Sequence, residues 1–449
     1  MIPAFISRSF QQVTGQHDLG DVLRGAGTML IIRAVAMLIA YASLIALARW
    51  MGAAEYGAFA YVFAWIAFLA MPAGLGIPAA SVRFLPEYSA RRSPSLIRGL
   101  LGRGAELTIG TGIVIAAVAM LIILEAGDRV PHAYRIPLII GLAGIPVTAL
   151  LTLQAQIGRA FGWIAMAYSP TQIWHPLLLL LAAGVLLATH TSLNAAVLVP
   201  VSVTLAGLCA LVQALSYMRR LRPTIRGIAP EYDQRAWLRV SGPLLLIDGF
   251  AAIINYSDIL LVGLFAGPVA VAFYTAASRS AAIVLAIYGS IGALTGPRMA
   301  ELNAKGERQE LQKLLSGIVP WISILPGIAA VALAIAGPFV LRLFGHGFDA
   351  AWPALVLLAF ANLIASITGP SALLLNMTGH QDSSATVYGL AALGNILLNL
   401  FLIPRFGLTG AAVGTTIATV ASNVVLVVIA KRKLGLHTSF IGINRQVQK

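Results

Sequence analysis

Apolar runs long enough to cross a bilayer recur along this chain, with little between them. Twelve can be read, at about 26–49, 57–80, 107–124, 136–160, 173–188, 193–218, 240–265, 269–294, 314–336, 351–377, 384–403 and 410–430. Each approaches the ~20 residues that a helix needs to span ~30 Å of hydrocarbon. In lipid every backbone polar group must be satisfied internally, which leaves helices or closed barrels. Runs of this length predict an all-α integral membrane bundle. Charged residues make up 10% of the 449, against about 25% in a soluble domain.

The loops carry a second signal. Counted on alternate sides of the predicted bundle, Lys and Arg number 23 on one side and 5 on the other, with Arg33 and Arg279 inside spans. Basic loops stay in the cytoplasm, so twelve spans with both termini cytoplasmic are expected. The predicted organisation is a cytoplasmic arm at 1–25, six spans over 26–218, a basic linker at 219–239, six spans over 240–430 and a basic tail at 431–449. The arm lacks the apolar core and cleavage pattern of a signal peptide. The net charge of +14 does not point to nucleic acid, because the basic residues sit in short clusters between spans; there they meet membrane lipids.

Other chemistry is excluded by what the chain lacks. Its single cysteine, Cys209, permits no internal disulfide, and no Cys/His spacing suits a metal. Gly74-x-Gly76-x-x-Ala79 mimics a dinucleotide fingerprint but lies within a spanning run with no strand before it. No P-loop occurs, and no cofactor is called for. The loops opposite the basic side are short and hold no paired carboxylates, which argues against a membrane enzyme with an outer catalytic loop.

The two sets of six spans repeat weakly at a shift of 215–216 residues. Gly52 falls on Gly267, Arg83 on Arg298, Pro137 on Pro353, and Ala195-Ala196-Val197 on Ala411-Ala412-Val413. Six is even, so the halves share one orientation. A pseudo-twofold axis along the membrane normal is expected, with a path between two six-helix lobes.

Charges inside the membrane are costly and should face a cavity or a partner. Arg33 and Asp248 occupy equivalent places in the two halves. They suit an anionic substrate group and its counter-charge or ion site, or else a salt bridge joining the halves. Asp258 and Arg279 lie at similar depth on consecutive spans. They could form an ion pair, or Arg279 could line the cavity and bind phosphate through its paired donors. Asn255 lies seven residues after Asp248, on nearly the same helix face. Arg49, Arg83 and Arg298 sit at membrane edges, and Glu55 and Glu87 suit local capping or pairing.

Segments 46–65 (ALARWMGAAEYGAFAYVFAW), 74–88 (GLGIPAASVRFLPEY), 258–279 (DILLVGLFAGPVAVAFYTAASR) and 402–422 (LIPRFGLTGAAVGTTIATVAS) resemble the O-antigen and exopolysaccharide type of polysaccharide flippase. That family belongs to the multidrug/oligosaccharidyl-lipid/polysaccharide exporter superfamily. The resemblance implies a two-lobed bundle with a cationic central cavity. It implies a polyprenyl-pyrophosphate-linked oligosaccharide moved from the cytoplasmic to the periplasmic leaflet of a bacterial inner membrane. Polysaccharide polymerase and chain-length machinery are its candidate partners. In the related lipid II flippases, cavity arginines on the first and eighth helices matter, and Arg33 and Arg279 stand on those helices here. Twelve spans rather than fourteen favour the O-antigen and exopolysaccharide branch. A cation-coupled multidrug exporter of the same superfamily and a non-transporting scaffold for glycan assembly are the alternatives.

Overall fold

The computed structural model describes the backbone of residues 19–440, and side chains from Val35 to Phe440 except at 247, 287, 289–294 and 297. Residues 1–18 of the expected arm, 441–449 of the expected tail and the side chain of Arg33 lie outside that description. Every long element is a helix. Among the described residues eight helices are long and apolar enough to cross a membrane, and a bent pair makes a ninth. Three of the eight turn back at a glycine with non-helical backbone, Gly52, Gly267 and Gly407. Counted on both sides of those glycines, the chain makes twelve spans.

In chain order they are α1 (19–51), α2 (53–73, continued after a turn as Ile77–Ala90), α3 (Pro94–Ala126) and α4 (His132–Gly141 and Gly144–Ala160, bent by 51°). Then come α5 (Ile164–Ala188), α6 (Ala195–Ile225), α7 (234–266) and α8 (268–304). The last four are α9 (Arg308–Arg342), α10 (Phe348–Ile367), α11 (381–406) and α12 (408–434). The chain forms two six-helix lobes, α1–α6 and α7–α12, related by a pseudo-twofold axis along the membrane normal. Gly52 (φ 78°, ψ 166°) and Gly267 (φ 80°, ψ −179°) make the same turn at equivalent points of the two lobes. A positive φ of this size strains any residue with a Cβ, so glycine is required at both.

Two boundaries differ from the sequence expectation. The fifth span starts at Ile164 rather than 173, because a π-helical turn at Pro170–Trp174 carries the helix through a polar stretch. The linker region 219–239 is mostly helical, since α6 runs to Ile225 and α7 begins at Gln234.

Packing differs between the two ends of the bundle. At the end away from the basic loops, here the far end, one buried core draws on both lobes; it includes Leu47, Val62 and Leu198 with Val262, Tyr274 and Leu355. At the basic end there are two cores. One holds Ile77, Leu100, Tyr217 and Trp237, and the other Met299, Leu315, Leu374 and Leu426. The lobes are therefore fused at the far end and packed separately at the basic end. At the basic end α7 crosses between the lobes. Its basic end packs on the first lobe, where Trp237 Nε1 donates to Tyr88 OH at 2.9 Å. Glu231 before it donates its N–H to the Ser95 carbonyl at 3.1 Å.

Candidate functional site

The faces of α7 locate the space between the lobes. One face meets α2: Gly263 lies against the Tyr61 ring, and the Ser241 carbonyl lies against Gly76. A second face, carrying Ser257 and Asp258, bonds to the second lobe. Two strips remain exposed. At 100° per residue, Leu246 and Leu264 fall on one strip, 64% and 63% exposed. Large apolar groups so exposed suit lipid. Asp248, Ala251 and Asn255 fall on the opposite side of the helix, where Ala251 and Asn255 are exposed. Asn255 donates to the Ala251 carbonyl at 2.7 Å, which leaves its Oδ1 open. Asp248 is half-buried and makes no hydrogen bond or ion pair with a described residue.

Arg279 stands on α8. Near the far end α8 touches α2 so closely that a Cβ on Gly57 would stand 1.8 Å from the Pro268 carbonyl oxygen and 3.2 Å from Ala272 N. Along the stripe that starts there, Thr275 is buried, and Arg279 and Ala282 one and two turns on are exposed. Arg279 and Asn255 each stand twelve residues from Gly267, so they are level. Asp248 lies one face-repeat nearer the basic end, about 10 Å at 1.5 Å per residue. Arg279 makes no ion pair with a described residue. Arg33 lies on α1, nineteen residues before Gly52 as Asp248 is before Gly267.

The edge residues are simpler. Arg49 is exposed at the far end of α1, and Arg83 is exposed with its guanidinium 5.8 Å from the Phe84 ring. Arg298 pairs with Glu301 at 2.6 Å. Glu55 accepts from the N–H of Ala195 at 2.7 Å and so caps α6, while Glu87 pairs with Arg91 at 2.8 Å.

Asp258 is not paired with Arg279. It is 6% exposed and held by neutral donors inside the second lobe. Oδ2 accepts from Tyr274 OH at 2.7 Å and lies 2.6 Å from Thr415 Oγ1; Oδ1 accepts from Asn399 Nδ2 at 2.6 Å. Asn395 bridges Asn399 at 3.1 Å, Thr415 at 3.2 Å and Ser257 at 3.1 Å. Thr415 Oγ1 is also 3.0 Å from the Ala411 carbonyl, one turn back on its own helix. A proton on the carboxyl, or a cation among these oxygens, would neutralise it. It would also remove the cost of a bare charge in a low-dielectric interior.

The repeat shows that the fold does not require this network. The first-lobe residues equivalent to Asp258, Tyr274, Asn395, Asn399 and Thr415 are Ser43, Phe59, Leu179, Ala183 and Val199, all buried. Phe59, Leu179, Ala183 and Val199 fill four of these places with apolar side chains, and Ser43 bonds back to the Ile39 carbonyl of its own helix at 2.7 Å. Sequence reasoning found Asp258 and missed its partners. The signal was available: Asn395 and Asn399, four residues apart, put two amides on one face of a spanning helix.

The sequence model of the family described as polysaccharide biosynthesis protein matches residues 22–303. A probable low-salt glycan biosynthesis flippase, Agl15 of Haloferax volcanii, is 28% identical over 179 residues, 38% of this chain and 36% of that protein. The match thus spans about a third of that relative's length. Among solved structures, the inward-facing conformation of a multidrug resistance MATE family transporter of the MOP superfamily superposes with a TM-score of 0.70. It is 14% identical, over 89% of this chain and 94% of that one. The lipid II flippase MurJ, inward closed conformation, also gives 0.70 at 15% identity, over 89% and 87%. These likenesses establish a shared fold.

Proposed function

The chain belongs to the polysaccharide biosynthesis protein family, and from that premise we propose that it is a flippase for polyprenyl-pyrophosphate-linked oligosaccharides. The observation that carries this reading is the contrast between the two ends of the bundle, one core at the far end and two at the basic end. Two rigid lobes joined at one end and separable at the other are what alternating access needs. The charge asymmetry of the loops supports a cytoplasmic basic end and cytoplasmic termini. The gap then opens toward the leaflet on which lipid-linked units are built, in a bacterial inner membrane.

Within the gap the residues have distinct roles. Arg279 receives the pyrophosphate, replacing lost hydration with paired N–H donors. Asn255, at the same level, bonds the anion or its first sugar, and Arg33 supplies a second cation on α1. Asp248 is the counter-charge that keeps the empty gap from being uniformly cationic. Asp258, behind α7, is the ion or proton coupling site: it draws on both α7 and α12, and its occupancy biases how α7 sits between the lobes.

The test uses liposomes holding the purified protein and a fluorescent polyprenyl-pyrophosphate oligosaccharide, scored by accessibility of label on the opposite leaflet. Wild-type protein is expected to transfer the label, Arg279→Ala to lose transfer at least tenfold, and ordinary phospholipids to stay in place. No transfer under a voltage or an ion gradient, with folded protein, would overturn the reading in favour of a drug exporter or a scaffold.

A further inference from the structure

The comparison of lobes that singles out Asp258 in the second also singles out a residue in the first. Gly162 and Gly379 make equivalent left-handed turns, φ 73° and 80°, and stand 217 residues apart. From Leu179 and Asn395 onward, equivalent residues stand 216 apart. The first lobe therefore holds one extra residue between its turn and Leu179. That stretch contains the π-helical turn Pro170–Trp174, the form in which a helix accommodates a single added residue. His175 follows at once. In the second lobe Ala391 stands at the place of His175, and Ala418 at that of Ser202.

The geometry fixes the tautomer. His175 Nε2 lies 3.1 Å from both the carbonyl oxygen and Oγ of Ser202 on α6. A carbonyl only accepts, so Nε2 carries the hydrogen and Nδ1 keeps its lone pair, with no partner among the described residues. From α1, Ser43 Oγ reaches the Pro176 carbonyl at 3.4 Å and the Ile39 carbonyl at 2.7 Å. The groups that face this site are thus the serines of α1 and α6, and no charged side chain among the described residues acts on the ring. Pro176 has no N–H, which leaves a carbonyl of the preceding turn without its helix donor. A proton arriving at Nδ1 would put a positive charge on a ring at the end of a turn that is one hydrogen bond short.

We propose that His175 is a proton-binding site of the first lobe, separate from Asp258, and that its protonation resets the π turn of α5 against α1 and α6. As a control of transport this rests on the flippase reading; as a site it does not, so the test reads structure rather than transport. Hydrogen–deuterium exchange of the protein in nanodiscs is measured in steps from about pH 5.5 to pH 8, across the ordinary range of histidine, with labelling times scaled for intrinsic exchange. Wild-type protein is expected to change protection over residues 164–176, and Asp258→Asn to change it equally. His175→Gln, which can keep a donor to the Ser202 carbonyl, is expected to lose the change. Ser202→Ala, a milder variant, is expected to move its midpoint. An unchanged response in His175→Gln, or none in wild type, would overturn the proposal.

Discussion

Asp258 and Arg279 stand on adjoining helices at comparable depth, yet their surroundings differ because they face different ways. Arg279 is exposed and makes no ion pair with a described residue. Asp258 looks into its own lobe, among a phenol, two amides and a hydroxyl. Asp258→Asn keeps the shape but cannot accept every donor offered, at a cost of about 1–3 kcal/mol for the bond left unmade. The expected outcome is a folded protein with a slightly lower Tm whose transport no longer responds to an ion gradient. Gradient-driven transport equal to wild type would exclude the coupling role. At Arg279, lysine keeps the charge but loses the fork, so Arg279→Lys is expected to transport at an intermediate rate and Arg279→Gln at a rate near background. The intramembrane charges were legible from sequence because charge among apolar residues needs no alignment to notice. Which way each one faces was not, because a 100° step decides it. Of the two arrangements the sequence left open for Asp258 and Arg279, the ion pair is not the one adopted, for that reason.

Among elements, α2 and α8 show how close the lobes come at the far end. The carbonyl of Pro268 occupies the space a side chain at position 57 would need. Gly57→Val is therefore expected to disfavour far-end closure by about 1–3 kcal/mol, an overpacking cost, or roughly 5- to 150-fold in the closed population. Accessibility of a cysteine at Ala60 to a charged thiol reagent checks it. Unchanged labelling would mean that the far end does not close through this contact. At the basic end of α8, hydrogen bonds from Lys305 and Arg298 hold the Glu301 carboxyl down at about 2. A lowered carboxyl contributes stability above its ordinary range and loses it as pH falls toward that value. The Tm difference between wild type and Glu301→Gln should thus shrink on acidification, and a growing difference would contradict the pairing. Sequence reading placed the long apolar helices well. It shortened α5, since Ser169, Pro170, Thr171 and Gln172 look like a break to a hydropathy count while a π turn carries the helix through them.

For the whole molecule, the alternation of basic loops and the weak repeat were enough to expect two lobes of six spans, because topology and orientation are written in charge and length. The state of the bundle was not legible, since it depends on which faces of α1, α2, α7 and α8 touch. The central claim is that the lobes rock about a gap, closing one end as the other opens. Spin labels at Arg92 and Lys313 report the basic end, and labels at Ala54 and Ala350 the far end; all four positions are exposed. Pulsed electron spin resonance in nanodiscs should give two populations for each pair. Addition of the lipid-linked oligosaccharide, or of a driving gradient in proteoliposomes, should shift the basic-end distance down as the far-end distance rises. Distances that stay single and fixed under every condition would contradict the account.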